Sequence, residues 1–206
     1  MTSVVIVGSG FTGFECARRL ARRLRKTDVD ITIISPVDYM LYTPLLPDVA
    51  GGVVDARFVA IPLAGTLKGV RAIRGRVDRV DLEDHRLQFT DLEQRTRELS
   101  WDRLVLTPGS VTRLFDIPGL AKYARGLKST AEALYLRDHV LEQLELSCLE
   151  EDAEVAKARR TIVVVGASYS GTELVLQLRA LAHAAAKQMN FDPESVKFLL
   201  LDLAEQ

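Results

Sequence analysis

The sequence predicts an α/β fold made of two βαβ units in series, and three observations predict it. A short β-branched apolar run, SVVIVG at 3–8, feeds a glycine-rich turn and then an amphipathic helix. The same order of strand, glycine turn and helix returns at 161–188, its first glycine 158 residues after the first copy's. Each helix is followed by a second apolar run, VDITIIS at 29–35 and VKFLLL at 196–201. Continuous apolar runs of this length fit strands covered on both faces, as in a parallel sheet.

The elements follow in order. The helix at 12–26 keeps Phe14, Ala17, Leu20, Ala21 and Leu24 on one side and Arg18, Arg19, Arg22, Arg23, Arg25 and Lys26 on the other. That basic run reads as a solvated outer face rather than an anionic-lipid patch. Residues 39–52, YMLYTPLLPDVAGG, form a loop punctuated by Pro and Gly, yet their cargo is apolar. Surface loops are normally polar, so this one is expected to line a ligand or an interface. Residues 70–90 alternate like strands around a turn at Glu83-Asp84-His85, and 97–101 completes a small antiparallel insertion. RLVLT at 103–107 is another buried strand, ending at Pro108-Gly109. Ile117-Pro118-Gly119 marks a boundary, dividing the chain into domains at 1–116 and 117–206. Ser129-Thr130-Ala131-Glu132 is a capping box that opens a helix to about residue 147. Residues 150–157 read as a charged, solvated connector.

Bulk properties narrow the function. The chain has 206 residues, 48% apolar and 27% charged, with a formal net charge of -1, so nothing in the bulk charge points to nucleic acid. Cys16 and Cys148 lie far apart in no metal or redox spacing, which fits a reducing compartment. His85, His139 and His183 have no convergent partners, and no metal is expected. No leader is visible and no apolar run approaches the roughly 20 residues that span a bilayer. The expectation is a soluble or peripheral protein of the cytoplasm.

The chemistry sits in the glycine turns. Gly8-Ser9-Gly10-Phe11-Thr12-Gly13 follows a strand and opens a helix. In such a turn Gly8 permits the sharp bend, Gly10 lets a pyrophosphate approach the backbone, and Gly13 lets helix and strand pack closely. The other reading is a tight turn in an unrelated α/β protein. The acidic residue that normally ends the second strand and binds a ribose is replaced by Ser35, followed by Pro36. The second copy is Gly166-Ala167-Ser168-Tyr169-Ser170-Gly171, with Ser168 in the middle glycine's place. Asp202 ends the strand after it, where a carboxylate selecting NADH over NADPH belongs; an Asp that merely ends a strand is also common. Glu173 lies in the first turn of the second helix, either beside a ligand or simply compensating the helix dipole.

Taken together, these residues resemble the type II NADH dehydrogenases (NADH:quinone oxidoreductases) of the two-dinucleotide-binding flavoprotein superfamily. ITIISPVDYMLYTPLLPDVAGG at 31–52 is similar to that family's segment after the second strand, and Ser35-Pro36 with the PLLP loop to its mitochondrial-type members. WDRLVLTPG at 101–109 is similar to a strand ending in Ala-Thr-Gly, with Thr107-Pro108-Gly109 in its place. Ile117-Pro118-Gly119, Gly126-Leu127-Lys128 and Gly171-Thr172-Glu173 also match family segments.

The resemblance implies a Rossmann-like FAD-binding unit with a small antiparallel insertion, followed by an incomplete second Rossmann-like unit for NADH. Hydride would pass from NADH to FAD, and two electrons onward to a quinone acceptor. Gly8, Gly10 and Gly13 would hold the FAD pyrophosphate, Thr43 and Pro44 would lie by the isoalloxazine, and Val77 by the adenine. Thr107, Pro108 and Gly109 would meet the cofactor from the sheet; Gly166, Ser168, Gly171 and Asp202 would bind NADH, with Glu173 beside the nicotinamide as the catalytic position. The family continues past residue 206 with a late Gly-Asp motif and a C-terminal region that meets quinone and membrane. The chain is therefore expected to be an N-terminal fragment, its parent peripheral on the inner face of the membrane through that region, with homodimer formation left open. Two alternatives stand: a degenerate, non-catalytic nucleotide-binding remnant, and a sulfide:quinone reductase-like enzyme. Disulfide reductases are excluded, because no cysteine occurs between Cys16 and Cys148.

Overall fold

Strands β1 (Thr2–Val7) and β2 (Val29–Ser35) run parallel, with Val7 opposite Ile34, and α1 (Phe11–Leu24) connects them. The β-branched residues chosen for these strands fill the interior: Val5, Ile6, Ile33 and Ile34 are wholly buried. Each such side chain contributes about 1.5–3 kcal/mol when removed from water. Helix α1 seats Ala17 and its flanking Phe14, Leu20 and Ala21 on Val4, Ile6, Ile31 and Ile33, covering one face of the sheet. These details come from a computed structural model that describes residues 2–112 and 114–202.

The strand order shows the predicted architecture. Beyond β2 come β3 (Tyr39–Leu41), α2 (Leu46–Ala50) and β4 (Ala60–Pro62), then β5 (Arg71–Asp81), β6 (Arg86–Asp91), β7 (Thr96–Ser100) and β8 (Arg103–Leu106). The main sheet has the order β7-β6-β5-β2-β1-β8. β8 and the first part of β5 flank the β1–β2 pair in parallel, with Ser35 opposite Arg74. The rest of β5 turns antiparallel to β6, and β6 to β7, as the alternating pattern predicts. One strand thus joins a parallel sheet to an antiparallel insertion. Leu87 and Phe89 on β6 pack with Val5 and Ile34 on the sheet face opposite α1.

By internal contacts the chain forms two compact units. The first is Met1–Tyr42 with Ala60–Val111; the second is Thr43–Val59 with Thr112–Gln206. The second holds α2, α3 (Leu120–Tyr123), α4 (Thr130–Leu149), α5 (Ala153–Arg159), β9 (Thr161–Val165), α6 (Tyr169–Gln188) and β10 (Lys197–Leu201). β9 and β10 pair in parallel, with Leu201 opposite Val165. Ser129 caps α4 as the sequence predicts: its hydroxyl accepts the Glu132 amide at 3.2 Å, while the Glu132 carboxylate accepts the Lys128 amide at 2.8 Å.

Two segments differ from the sequence reading. Residues 153–159 are helical rather than a plain connector, because Asp152 accepts the amides of Glu154 and Val155 and caps the turn. Glu154 at its start and Lys157 and Arg159 at its end suit the helix dipole, so the charge that suggests a loop is also good helix-terminal chemistry. Residues 39–52 carry a short strand pairing with β4, a 3-10 turn at Thr43–Leu45, and α2. Leu46, Pro47, Val49 and Ala50 are buried, which accounts for that segment's apolar cargo. α2 packs on α4 and α6, and Asp48 accepts a hydrogen bond from the Gln177 amide at 2.8 Å.

Candidate functional site

In the first unit the chain leaves β1 at Gly8, whose φ of +98° suits glycine. Its amide donates to Ile34 at 2.8 Å, tying the turn to the end of β2. On the other side Thr107 closes in: its hydroxyl donates to the Val7 carbonyl at 2.7 Å. A Cβ on Gly8 would lie 2.1 Å from the Thr107 carbonyl oxygen, and one on Gly13 only 1.9 Å from the Gly8 carbonyl oxygen. Gly8, Gly13 and Thr107 form one close-packed knot.

Gly10 is different. Its φ of -66° is open to any residue, and a Cβ there would meet nothing within 4 Å. It stands at the N-cap of α1 without a side-chain cap, so the helix's first amides face that open space. An anion fits this place: the helix end is positive, the amides lack side-chain acceptors, and the backbone is bare. The residues present therefore fit a bound dinucleotide pyrophosphate.

Ser35, expected at the ribose, is buried instead. Its hydroxyl lies 2.8 Å from that of Ser9, which in turn donates to the Tyr39 carbonyl at 2.9 Å. This pair links the glycine turn to the segment after β2. Ser9 was legible only as a spacer in the motif; nothing in the sequence signals its buried partner. Pro36 is exposed beside it. Phe11 and Tyr42, both exposed, meet edge to face with ring centres 5.4 Å apart. A cavity of about 480 Å³ lies alongside, lined by Phe11, Thr12, Phe14, Glu15 and Met40. Glu15 is bonded by Arg18 at 2.7 Å and by Arg19, which hold its carboxyl down to about 2. Val77 sits half-buried opposite Phe89, within the hydrophobic cluster of the insertion. Pro108 and Gly109 are exposed beyond β8, Gly109 with a φ of +75°.

The second unit repeats the turn. Gly166 has a φ of +104° and donates to Leu201 at 2.7 Å, the counterpart of the Gly8 bond to Ile34. A Cβ on Gly171 would lie 1.8 Å from the Gly166 carbonyl oxygen. Ser168 caps α6 with a φ of -69°, close to that of Gly10, and its hydroxyl makes no cap bond. Serine is therefore accommodated without backbone strain, and its side chain stands where Gly10 leaves space. Asp202 occupies the position equivalent to Ser35 and accepts the Ala167 amide at 2.6 Å. Glu173 is exposed, but because α6 already begins at Tyr169 it lies just past the first turn rather than within it as the sequence suggests. Thr43 and Pro44, also exposed, belong to the second unit by contacts.

Two glycine turns of this geometry, each between a parallel strand pair and a helix, define a protein with two dinucleotide-type folds in tandem. The pyridine nucleotide-disulphide oxidoreductase family model matches residues 2–197, and the chain belongs to that family. Within it, the chain is 32% identical over 206 residues to the type II NADH:quinone oxidoreductase Ndh of Mycobacterium tuberculosis, covering 98% of this chain and 43% of that protein. It is 28% identical to the mitochondrial external alternative NAD(P)H-ubiquinone oxidoreductase B4 of Arabidopsis thaliana, covering 98% of this chain and 36% of the relative. The structure of NDH2 from Plasmodium falciparum in complex with NADH superposes with a TM-score of 0.86 at 26% identity, over 97% of this chain and 41% of that one. The chain thus spans less than half the length of these relatives.

Proposed function

We propose that this chain is the cofactor-binding part of an FAD-dependent NADH:quinone oxidoreductase. The single observation that carries the reading is the paired turn: Gly8 and Gly166 make the same bond to the next strand, and Gly13 and Gly171 make the same close approach. Similarity to type II NADH:quinone oxidoreductases supports the assignment of substrates. FAD, when bound, would supply the redox chemistry that links NADH to a quinone. The protein's share is placement and electrostatics.

In the domain at 1–116, the α1 amides beyond Gly10 hold the FAD pyrophosphate, with Gly8 and Gly13 keeping the turn tight. Ser35 sets the turn through Ser9, Pro36 lies toward the adenosine end, and Val77 lies toward the adenine. Thr107, Pro108 and Gly109 support the cofactor from the sheet. In the domain at 117–206, Gly166, Ser168 and Gly171 receive the NADH pyrophosphate. Asp202, already polarised by the Ala167 amide, accepts from the adenosine ribose hydroxyls and disfavours a 2′-phosphate by charge repulsion. Glu173 meets the nicotinamide end, and Thr43 and Pro44 the isoalloxazine. No helix among the described residues is long and apolar enough to cross a membrane. On this reading the parent protein is cytoplasmic and peripheral on the inner face of the membrane, with homodimer formation left open.

Anaerobic absorption spectroscopy tests this. The purified chain mixed with FAD should retain a visible flavin band, and NADH should bleach it. A chain that retains no flavin, or a band unmoved by NADH, would overturn the catalytic reading. Ser168, standing where Gly10 leaves room for phosphate, favours a second reading: a nucleotide-binding remnant that retains flavin but does not turn over. Flavin retention without bleaching is its signature.

A further inference from the structure

The first unit carries a cationic surface that the dinucleotide reading does not use. Six of the chain's 27 Lys and Arg fall within residues 18–26 with no acid among them, leaving 21 bases against 28 acids elsewhere. On α1 and just beyond it they form two stripes at helical spacing: Arg18, Arg22 and Arg25, and beside them Arg19, Arg23 and Lys26. Glu15 neutralises the start of each stripe through Arg18 and Arg19. Arg22, Arg23, Arg25 and Lys26 are exposed and have no carboxylate partner among the described residues. Compensation of the helix dipole accounts for Arg22 and Arg23 in the last turn, but not for Arg25 and Lys26 beyond it.

As a linear run these residues read as a solvated outer face rather than an anionic-lipid patch; the structure adds the neighbour that changes this reading. Lys68, from the segment between β4 and β5, joins Arg18, Arg22 and Arg25 around a groove of about 610 Å³ whose floor includes Leu24 and Leu67. Cations on the rim and aliphatic carbon on the floor match an anionic phospholipid: phosphate to the guanidinium forks, glycerol and first acyl carbons to the leucines. No aromatic residue lines the groove, so it offers no platform for stacking nucleic-acid bases. It lies along the C-terminal half of α1, from Arg18 onward, away from the Gly8 turn.

We propose that this groove and its flanking stripes dock the first unit onto an anionic phospholipid surface. Docking there leaves the mouth of the glycine turn facing away from the bilayer end of α1. The contact is electrostatic and shallow: each cation near such a surface is worth about a fivefold change in partitioning, and the effect is screened by salt.

The test is co-sedimentation of the whole chain with vesicles of phosphatidylcholine alone or doped with phosphatidylglycerol. Binding is expected only to the doped vesicles, and to be abolished at about 1 M salt, where the screening length falls to about 3 Å. The triple variant Arg22→Glu, Arg25→Glu, Lys68→Glu, all exposed positions, should lower binding at least about a hundredfold. The wild-type salt titration needs no variant, so it decides the question even if the triple variant folds poorly. Equal binding to both vesicle types, no binding to either, salt-insensitive binding, or a well-folded triple variant that binds like wild type would each overturn the proposal. So would tighter binding to single-stranded RNA than to the doped vesicles.

Discussion

The two glycine turns are near copies, but the sheets beneath them are not. Gly8 and Gly166 share a positive φ and the same bond to the next strand, and Gly13 and Gly171 share the same contact with the first glycine's carbonyl. Under the first turn, Val5 and Ile6 are fully buried in a six-stranded sheet. Under the second, Val163 and Val165 of β9 and Leu199 and Leu201 of β10 are each about half exposed. Thr107 at the end of β8 packs against Gly8, whereas nothing lies within 4 Å of a Cβ on Gly166. Local sequence dictates the turn; neighbouring strands dictate how tightly it is held.

The comparison can be broken most severely at the third glycine. Gly13→Ala or Gly171→Ala drives a Cβ into a backbone carbonyl and should cost about 3 kcal/mol or more in either unit. Thermal melting would read the loss, and the Gly13 variant should also lose flavin. Equal tolerance of alanine at both positions would show that the close approach is not needed.

The first glycine should separate the units. Gly166→Ala meets only backbone strain, about 1–3 kcal/mol, whereas Gly8→Ala adds collision with Thr107 and should destabilise by more. If the two variants melt alike, Thr107 is not restraining the turn.

At the middle position the effect should be on ligand rather than fold. Gly10→Ser should weaken FAD binding roughly tenfold, about 1.4 kcal/mol. Ser168→Gly should leave the melting temperature nearly unchanged and alter NADH affinity, measured by titration calorimetry. Unchanged affinities in both would mean the pyrophosphate does not approach there. Asp202→Asn removes a charged acceptor from the Ala167 amide and should erode NADH over NADPH preference by roughly tenfold, measured as the ratio of dissociation constants.

The smallest effect belongs to Glu15. Its carboxyl is held at about 2, against an ordinary 4.5, first by the Arg18 hydrogen bond and then by Arg19. A depressed carboxyl stabilises the fold fully above pH 4.5, and that contribution is lost as pH falls toward 2. Glu15→Gln should flatten the dependence of melting temperature on pH within this window only. The shift should be slight, because the pair is solvent-exposed.

Much of the fold was legible because it is local. Runs of Val and Ile mark the strands, Gly8 and Gly166 mark turns at positive φ, Gly13 and Gly171 mark close helix–strand approaches, and the Ser129–Glu132 box announces a helix start. The helix at Ala153–Arg159 was less legible, since charged residues serve loops and helix ends alike. The burial of residues 46–50 was hinted at by composition, but its partners α4 and α6 lie far along the chain. The candidate site divides the same way. The glycines are named by their spacing, while the Ser9–Ser35 bond and the Asp202–Ala167 bond join residues 26 and 35 positions apart.

By itself, then, the sequence determined the order of the two βαβ units, their glycine turns and the capping box that opens α4, because these depend on neighbours within a few residues. Tertiary structure alone decided that Thr107 locks Gly8, that Ser35 turns inward to Ser9, and that Lys68 completes a cationic groove with α1. Those choices depend on which distant strands and loops come to lie side by side, and no pattern of period two or 3.6 carries that information.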